Sequence, residues 1–247
     1  MIGPYPGASS IAQLGTDLRG WYATEAARSA VDFHADWSGW EPRTAIEWLS
    51  GAADRKRDAA ADIGTAVHAW CAERAEGEIQ RIPTPEIKGH AEQFLRFLAD
   101  FNPTFLHVER AVFGDGYAGS FDFIADIPGH GRLLVDIKTG KSVHPESVAL
   151  QLAAYRYAPI MPEPEWVEMT PDHFYTWHNP KRGGTFTPKV DGCAVLHLRP
   201  RSHKLIPVEA GPEQHRTFLY ALQVWHHLRD AGRLLGDPLT PAEEAAA

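Results

Sequence analysis

The strongest constraint on this chain is a change of texture at Pro103. Before it, apolar residues recur at helical spacing, which predicts helices over 21–35, 44–49, 54–77 and 87–100. Ile63, Val67, Trp70 and Cys71 form one inward stripe, and Phe94, Leu95 and Leu98 form another. Gly39 and Pro42, then Pro83 and Pro85, punctuate these elements. Beyond Pro103 the segments shorten to 105–112, 119–127 and 132–138 and become rich in aliphatic and aromatic residues. Gly114-Asp115-Gly116 and Pro128-Gly129-His130-Gly131 separate them, the pattern of a three-strand meander. A helix over 147–158, strands over 172–177, 194–199 and 205–208, and a last helix over 213–229 complete the order. Residues 1–20, rich in Gly, Pro and Ser, are expected to be loop with one short helix. Helices, meander, helix, strands and helix in that order predict an α/β chain with a mixed central β-sheet flanked by α-helices. No long linker divides it. The expectation is one domain over 1–247, with a helical N-terminal extension over 1–60, a core over 60–230 and a flexible tail over 236–247.

Composition narrows the function classes. A 44% hydrophobic and 23% charged chain has the apolar mass for a core and is not a disordered segment. The formal net charge of −8 argues against a protein that coats nucleic acid nonspecifically. Any such contact is local or bridged by metal. Two local exceptions stand out. Residues 181–204 carry Lys181, Arg182, Lys189, Arg199, Arg201 and Lys204 against Asp191 alone, and Arg55-Lys56-Arg57 is a second basic spot. Cys71 and Cys193 are too few for a disulfide framework or a four-cysteine cluster and suit a reducing, cytoplasmic setting, with a single disulfide as the alternative. No apolar run reaches about 18 residues, and the N-terminus lacks a basic and an apolar region. Neither a membrane span nor a secretory signal is expected.

Chemistry concentrates in four short pieces. In Val135-Asp136-Ile137-Lys138, strand alternation puts Asp136 and Lys138 on one face and the two aliphatic residues on the other. Gly119-Ser120-Phe121-Asp122 opens the preceding strand, and antiparallel pairing through the turn near Gly129 sets Asp122 opposite the Asp136 end. Two carboxylates held close repel and invite a divalent cation. His68 lies among apolar neighbours in Gly64-Thr65-Ala66-Val67-His68, and Gln151 and Tyr155, at i and i+4, share a helix face. Singly, each is commonplace: a salt-bridged pair, a turn aspartate, a core histidine, a half-buried tyrosine. Glu109 on the first strand of the meander reads as an outer acid or as a packing residue. His173, His178, His226 and His227 lack a spacing that compels a zinc site.

Taken together, His68 in GTAVH, Asp122 in GSFD, Asp136 and Lys138 in DIKTGK, and Gln151 with Tyr155 in QLAAY resemble the PD-(D/E)XK nuclease superfamily. The resemblance is to its RecB-like branch, phage-encoded exonucleases among it. It covers residues 60–160 closely, and PGASSIAQL and the late strands more loosely. Phe121 stands before Asp122 where the superfamily name has proline, and the cysteines that hold an iron–sulphur cluster in some relatives are missing. The resemblance implies a restriction-endonuclease-like core without such a cluster. It implies catalytic roles for Asp122, Asp136 and Lys138, and one or two Mg²⁺ or Mn²⁺ ions held by His68, Asp122, Asp136 and the backbone carbonyl of Ile137. Lys138 would orient water and stabilise phosphoryl charge, with Gln151 and Tyr155 binding DNA or supporting the site. The implied activity is a metal-dependent DNA exonuclease of phage recombination or replication. It would act on duplex ends or single strands, with a recombination protein as a possible partner. An endonuclease of the same superfamily is the nearest alternative, and a catalytically silent DNA-binding or assembly module is the alternative from another class.

Overall fold

The structure is a computed structural model that describes residues 2–77, 81–182 and 184–236. The chain runs β1 (Ile2–Pro6), α1 (Ala8–Ala12), α2 (Arg19–Asp32), α3 (His34–Trp37), α4 (Pro42–Ser50), α5 (Ala52–Ala75) and α6 (Lys88–Phe101). Asn102 closes α6 in the left-handed conformation, with Pro103 behind it, a strong helix stop. Then come β2 (Thr104–Phe113), β3 (Ala118–Ile127), β4 (Gly131–Lys138), α7 (Pro145–Tyr157), β5 (Ile160–Pro162), β6 (Val167–Met169) and β7 (Phe174–Trp177). β8 (Gly184–Phe186), β9 (Gly192–Arg199), β10 (Ser202–Val208) and α8 (Pro212–Asp230) follow.

The main sheet has seven strands in the order β10-β9-β4-β3-β2-β5-β8. It is mixed: β4 and β9 are parallel, and the other neighbours are antiparallel. Helices cover both faces. On one, Ile11 of α1, Leu152 of α7 and Phe218 of α8 pack on Val112, Phe121, Leu134 and Val195. On the other, Val67 and Trp70 of α5 and Phe94 and Phe97 of α6 pack on Phe123, Val135, Ile137 and Leu196.

Several expectations change. The first residues are not mainly loop. β1 pairs with β7, which pairs with β6, to form a second, three-stranded sheet, and Ala8, Ile11 and Ala12 of α1 are buried. The helical extension is therefore α2 to α4, and the residues before it belong to the core. β5, β6 and β8 were not foreseen, because three residues are too few to display alternation. Ile63 and Leu95, placed inward from the sequence, are 38% and 39% exposed, and Phe97 takes the core position beside Phe94. The expected tail falls almost wholly on 237–247, outside the described residues.

One irregularity builds the site. Phe121 packs on one face of the sheet and Phe123 on the other, although residues two apart on a regular strand share a face. Val108 and Val112 of β2 show the same reversal. The register passes from Val108↔Phe123 to Arg110↔Phe121, which leaves Glu109 opposite Asp122 at the switch. Glu109 has φ of 46°, a left-handed conformation that costs a non-glycine residue roughly 1–3 kcal/mol.

Candidate metal centre

The β3–β4 ladder is regular up to Phe123↔Val135 and then stops. One step further, the Ile137 N–H donates to the Asp122 carboxylate (Oδ2), so a side chain bridges the strands where the backbones part. Asp122 is 8% exposed, and its Oδ1 lies 2.8 Å from His68 Nδ1. His68 reaches the sheet from α5, which passes close to the strand end: a Cβ at Gly64 would lie 3.4 Å from Thr139 Oγ1. Glu109 arrives from β2. One ligand atom from each of His68, Glu109 and Asp122 lies within 4.8 Å of the others. That spread is comparable to ligands on opposite sides of a cation with bonds of about 2.0–2.6 Å. These residues can hold a metal ion, and no other such group occurs among the described residues.

The electrostatics of the triad fit a missing positive charge. Desolvation, followed by the charges of Asp122 and Asp136, outweighs His68 and raises the Glu109 carboxyl to about 7. Desolvation disfavours the His68 cation, but Asp122, with help from Asp136 and Glu109, overrides it and lifts the imidazole to about 9. Cys71, one turn along α5, is pushed well above the ordinary thiol range by burial and then by Asp122 and Glu109. It is held as a neutral thiol.

The opposite flank is a closed network. Asp136 is 3% exposed, and its Oδ2 lies 2.8 Å from Lys138 Nζ. Gln151 Nε2 donates to Asp136 Oδ1 at 2.9 Å and to the Tyr155 hydroxyl at 3.0 Å, while Gln151 Oε1 accepts from Lys138 Nζ at 3.3 Å. Gly119 makes room for this: a Cβ there would come within 2.4 Å of Tyr155 Cε1. Burial is the main force raising the Asp136 carboxyl, with Asp122 adding to it and Lys138 opposing. Burial disfavours the Lys138 ammonium, yet Asp136 and Asp122 more than compensate, so Lys138 remains a cation. Asp136 Oδ2 is buried and, despite its ion pair, receives no well-directed hydrogen bond. A buried carboxylate oxygen with a spare lone pair suits a cation as its missing partner.

The expected residues therefore divide. Asp122 and His68 join the triad, and Glu109, weighed from the sequence as an outer or packing acid, is its third member. Asp136, expected as a ligand beside Asp122, lies outside the triad and is held by Lys138 and Gln151. Gln151 and Tyr155 share a face and are hydrogen-bonded to each other. The Ile137 N–H points at Asp122, and in an extended strand the carbonyl of the same residue points the same way. Two residues not foreseen brace the loop after Lys138: Arg199 Nη1 donates to the Thr139 carbonyl at 2.6 Å, and His197 Nε2 lies 2.9 Å from the Gly140 carbonyl. Only folding reveals them, since both come from β9.

Among the other histidines, His178 pairs with Glu168 at 2.8 Å. No helix among the described residues is long and apolar enough to cross a membrane. A scan against protein-family models and a search of curated proteins return no match to this chain.

Proposed function

We propose that this protein is a divalent-metal-dependent nuclease of the PD-(D/E)XK superfamily, RecB-like branch, with a restriction-endonuclease-like core and exonucleolytic action on DNA. The observation that carries the reading is the juxtaposition of the His68, Glu109 and Asp122 cluster with the Asp136–Lys138 ion pair. A histidine nitrogen with carboxylate oxygens is a donor set for Mg²⁺ and, with the imidazole, at least as much for Mn²⁺. Asp136 Oδ2 and the Ile137 carbonyl complete the candidate ligands. An ion held by these residues would supply positive charge at the scissile phosphate and would lower the pKa of a water.

The remaining work falls to this chain's own groups. Lys138 is fixed by two acceptors, Asp136 and Gln151, and stays protonated, so it acts as an oriented electrostatic donor rather than a base. Gln151 bridges Asp136, Lys138 and Tyr155, and so sets the angle of both charged groups. Asp122 holds His68 with one oxygen and the β4 backbone with the other, which ties the cluster to the strand bearing Lys138.

The test is digestion of linear, circular, single-stranded and end-labelled duplex DNA, with RNA alongside, in Mg²⁺, Mn²⁺ or chelator. Metal-dependent release of nucleotides from linear DNA, with circular DNA spared, is expected. Cleavage of circles would make the protein an endonuclease. Binding without cleavage in either metal would make it a silent module and overturn the proposal.

A further inference from the structure

Charge compensation divides this molecule sharply. In the N-terminal helices the cations are matched. Arg28 and Lys56 both contact Glu25, Arg43 contacts Glu47, and Arg57 lies between Asp54 and Asp58. Arg55 stacks 4.5 Å over the Trp48 ring. Lys56 and Arg57 of the spot expected from the sequence are thus paired with acids of the N-terminal helices, and Arg55 is held on an aromatic ring. The run over 181–204 also breaks apart in space. Lys189 lines a pocket with Asp126, Arg132 and Asp191 by the β3–β4 turn, at the far end of the sheet from Asp122.

Beside the site, by contrast, cations gather in a lip. Lys138 of β4 is in register with His197 of β9, which is in register with Lys204 of β10. Partners in register share a face, so the three form a row running sideways from the Asp136–Lys138 pair. Arg199, opposite Ser202, continues it on β9, and Arg201 follows in the turn. Lys141 stands in the loop after β4, whose backbone His197 and Arg199 hold. No Asp or Glu occurs over 192–208 or over 137–145, in a chain of net charge −8. Lys141, Arg201 and Lys204 are exposed and form no ion pair among the described residues.

We propose that this lip is a phosphate track, which carries the nucleic-acid backbone flanking the scissile phosphate away from Lys138 across β9 and β10. The inference rests on the nuclease reading for the role of Lys138 and extends it to the path of the substrate. A small anion is held in a concavity, whereas these groups are strung in a row across three neighbouring strands. Lys138 and Lys204 stand two strand spacings apart, about 10 Å, which is about three nucleotides of axial rise. A polyanion with regularly spaced charges is the occupant that fits, and phosphate contacts of this kind position a strand without reading its sequence.

This chain carrying Arg201→Ala/Lys204→Ala tests the track, with Lys189→Ala as the control at the opposite end of the sheet. Binding of fluorescent single-stranded and duplex oligonucleotides is measured in Ca²⁺ over a salt series, beside kcat and KM in Mn²⁺. The double variant is expected to lower the slope of log K against log salt by about 2 and to raise KM, with kcat within about twofold. Lys189→Ala is expected to change neither. An unchanged slope in the double variant, an equal loss in Lys189→Ala, or competition by poly-glutamate as strong as by DNA of equal charge would overturn the track. If the wild type binds with this lip-dependent slope but cleaves nothing, the nuclease reading fails and the track stands. Cleavage with a lip-independent slope separates them the other way.

Discussion

The two flanks of the site are built on different principles. The His68, Glu109 and Asp122 flank draws one residue each from α5, β2 and β3, and partly reaches solvent. Its charges do not balance: burial and then the charge of Asp122 raise the Glu109 carboxyl to about 7, in a left-handed backbone conformation. The Asp136, Lys138, Gln151 and Tyr155 flank draws on two consecutive elements, β4 and α7, and closes on itself through four polar contacts. One flank has unmet electrostatic demand, which a bound cation answers. The other is an orienting network in which Asp136 Oδ2 alone keeps a spare lone pair, an arrangement that holds Lys138 in place. Under the proposed function, binding of metal and positioning of the ammonium would fall to different parts of the fold, with Asp122 as their shared neighbour.

The sharpest way to break this comparison is Asp122→Asn. The amide still offers an oxygen to the Ile137 N–H but loses the ligand charge. Cleavage is expected to fall to background and calorimetric Mn²⁺ binding to disappear, with the folded state retained. Persistent Mn²⁺ binding would move the metal to the other flank. On the positioning flank, Lys138→Ala is expected to reduce single-turnover cleavage by on the order of 10²-fold or more, as for loss of one oriented donor. DNA affinity in Ca²⁺ should fall far less, since many phosphate contacts share the binding. Lys138→Arg should rescue poorly, because a planar guanidinium does not replace a compact ammonium. Equal losses of rate and affinity would make Lys138 a phosphate anchor.

Glu109 separates function from stability. Glu109→Gly removes a ligand and relieves the left-handed backbone. Weaker Mn²⁺ binding is expected, together with an unfolding free energy higher by about 1 kcal/mol. Denaturant titration beside calorimetry reads both, and a less stable variant would show that the kink is not strained.

The triad also sets a pH dependence in the metal-free protein. His68 rises from about 6.5 unfolded to about 9 folded, so its stabilisation is full below 6.5 and disappears as pH rises through 9. Glu109, raised from 4.5 to about 7, acts in the same direction between those values, because the folded state again binds more protons. Melting temperature in chelator is expected to fall from mildly acidic pH to pH 9, with a shallower fall in His68→Gln. A parallel fall in both proteins would detach His68 from Asp122. The smallest effect belongs to Tyr155→Phe, which removes only the hydroxyl that accepts from Gln151. A loss of a few-fold in kcat at unchanged KM is expected, and a raised KM would instead place Tyr155 against substrate.

Much of the positioning flank was legible before folding, because its geometry is local. Strand alternation alone places Asp136 and Lys138 together, and helix spacing alone places Gln151 with Tyr155. The approach of Asp122 followed from a turn only a few residues long. The meander, the helices around it and the mixed sheet were readable for the same reason. Glu109 was not, since its position depends on a kink that reverses both strands between the faces, and periodicity assumes that no such reversal occurs. The three-residue strands carried too little pattern to be seen.

What this sequence determined by itself is the set of local periodicities and turns, and through them the α/β class and the residue pairs that share a face. Tertiary structure alone decided which charges remain available. Glu25 pairs with Lys56 from 31 residues away in the chain, Lys189 lines a pocket that Asp126, Arg132 and Asp191 also line, and Arg201 and Lys204 form no ion pair among the described residues. β1 likewise finds β7 across most of the chain. Coulomb interaction depends on distance through space, and a linear count of charges holds no record of that distance until the chain has folded.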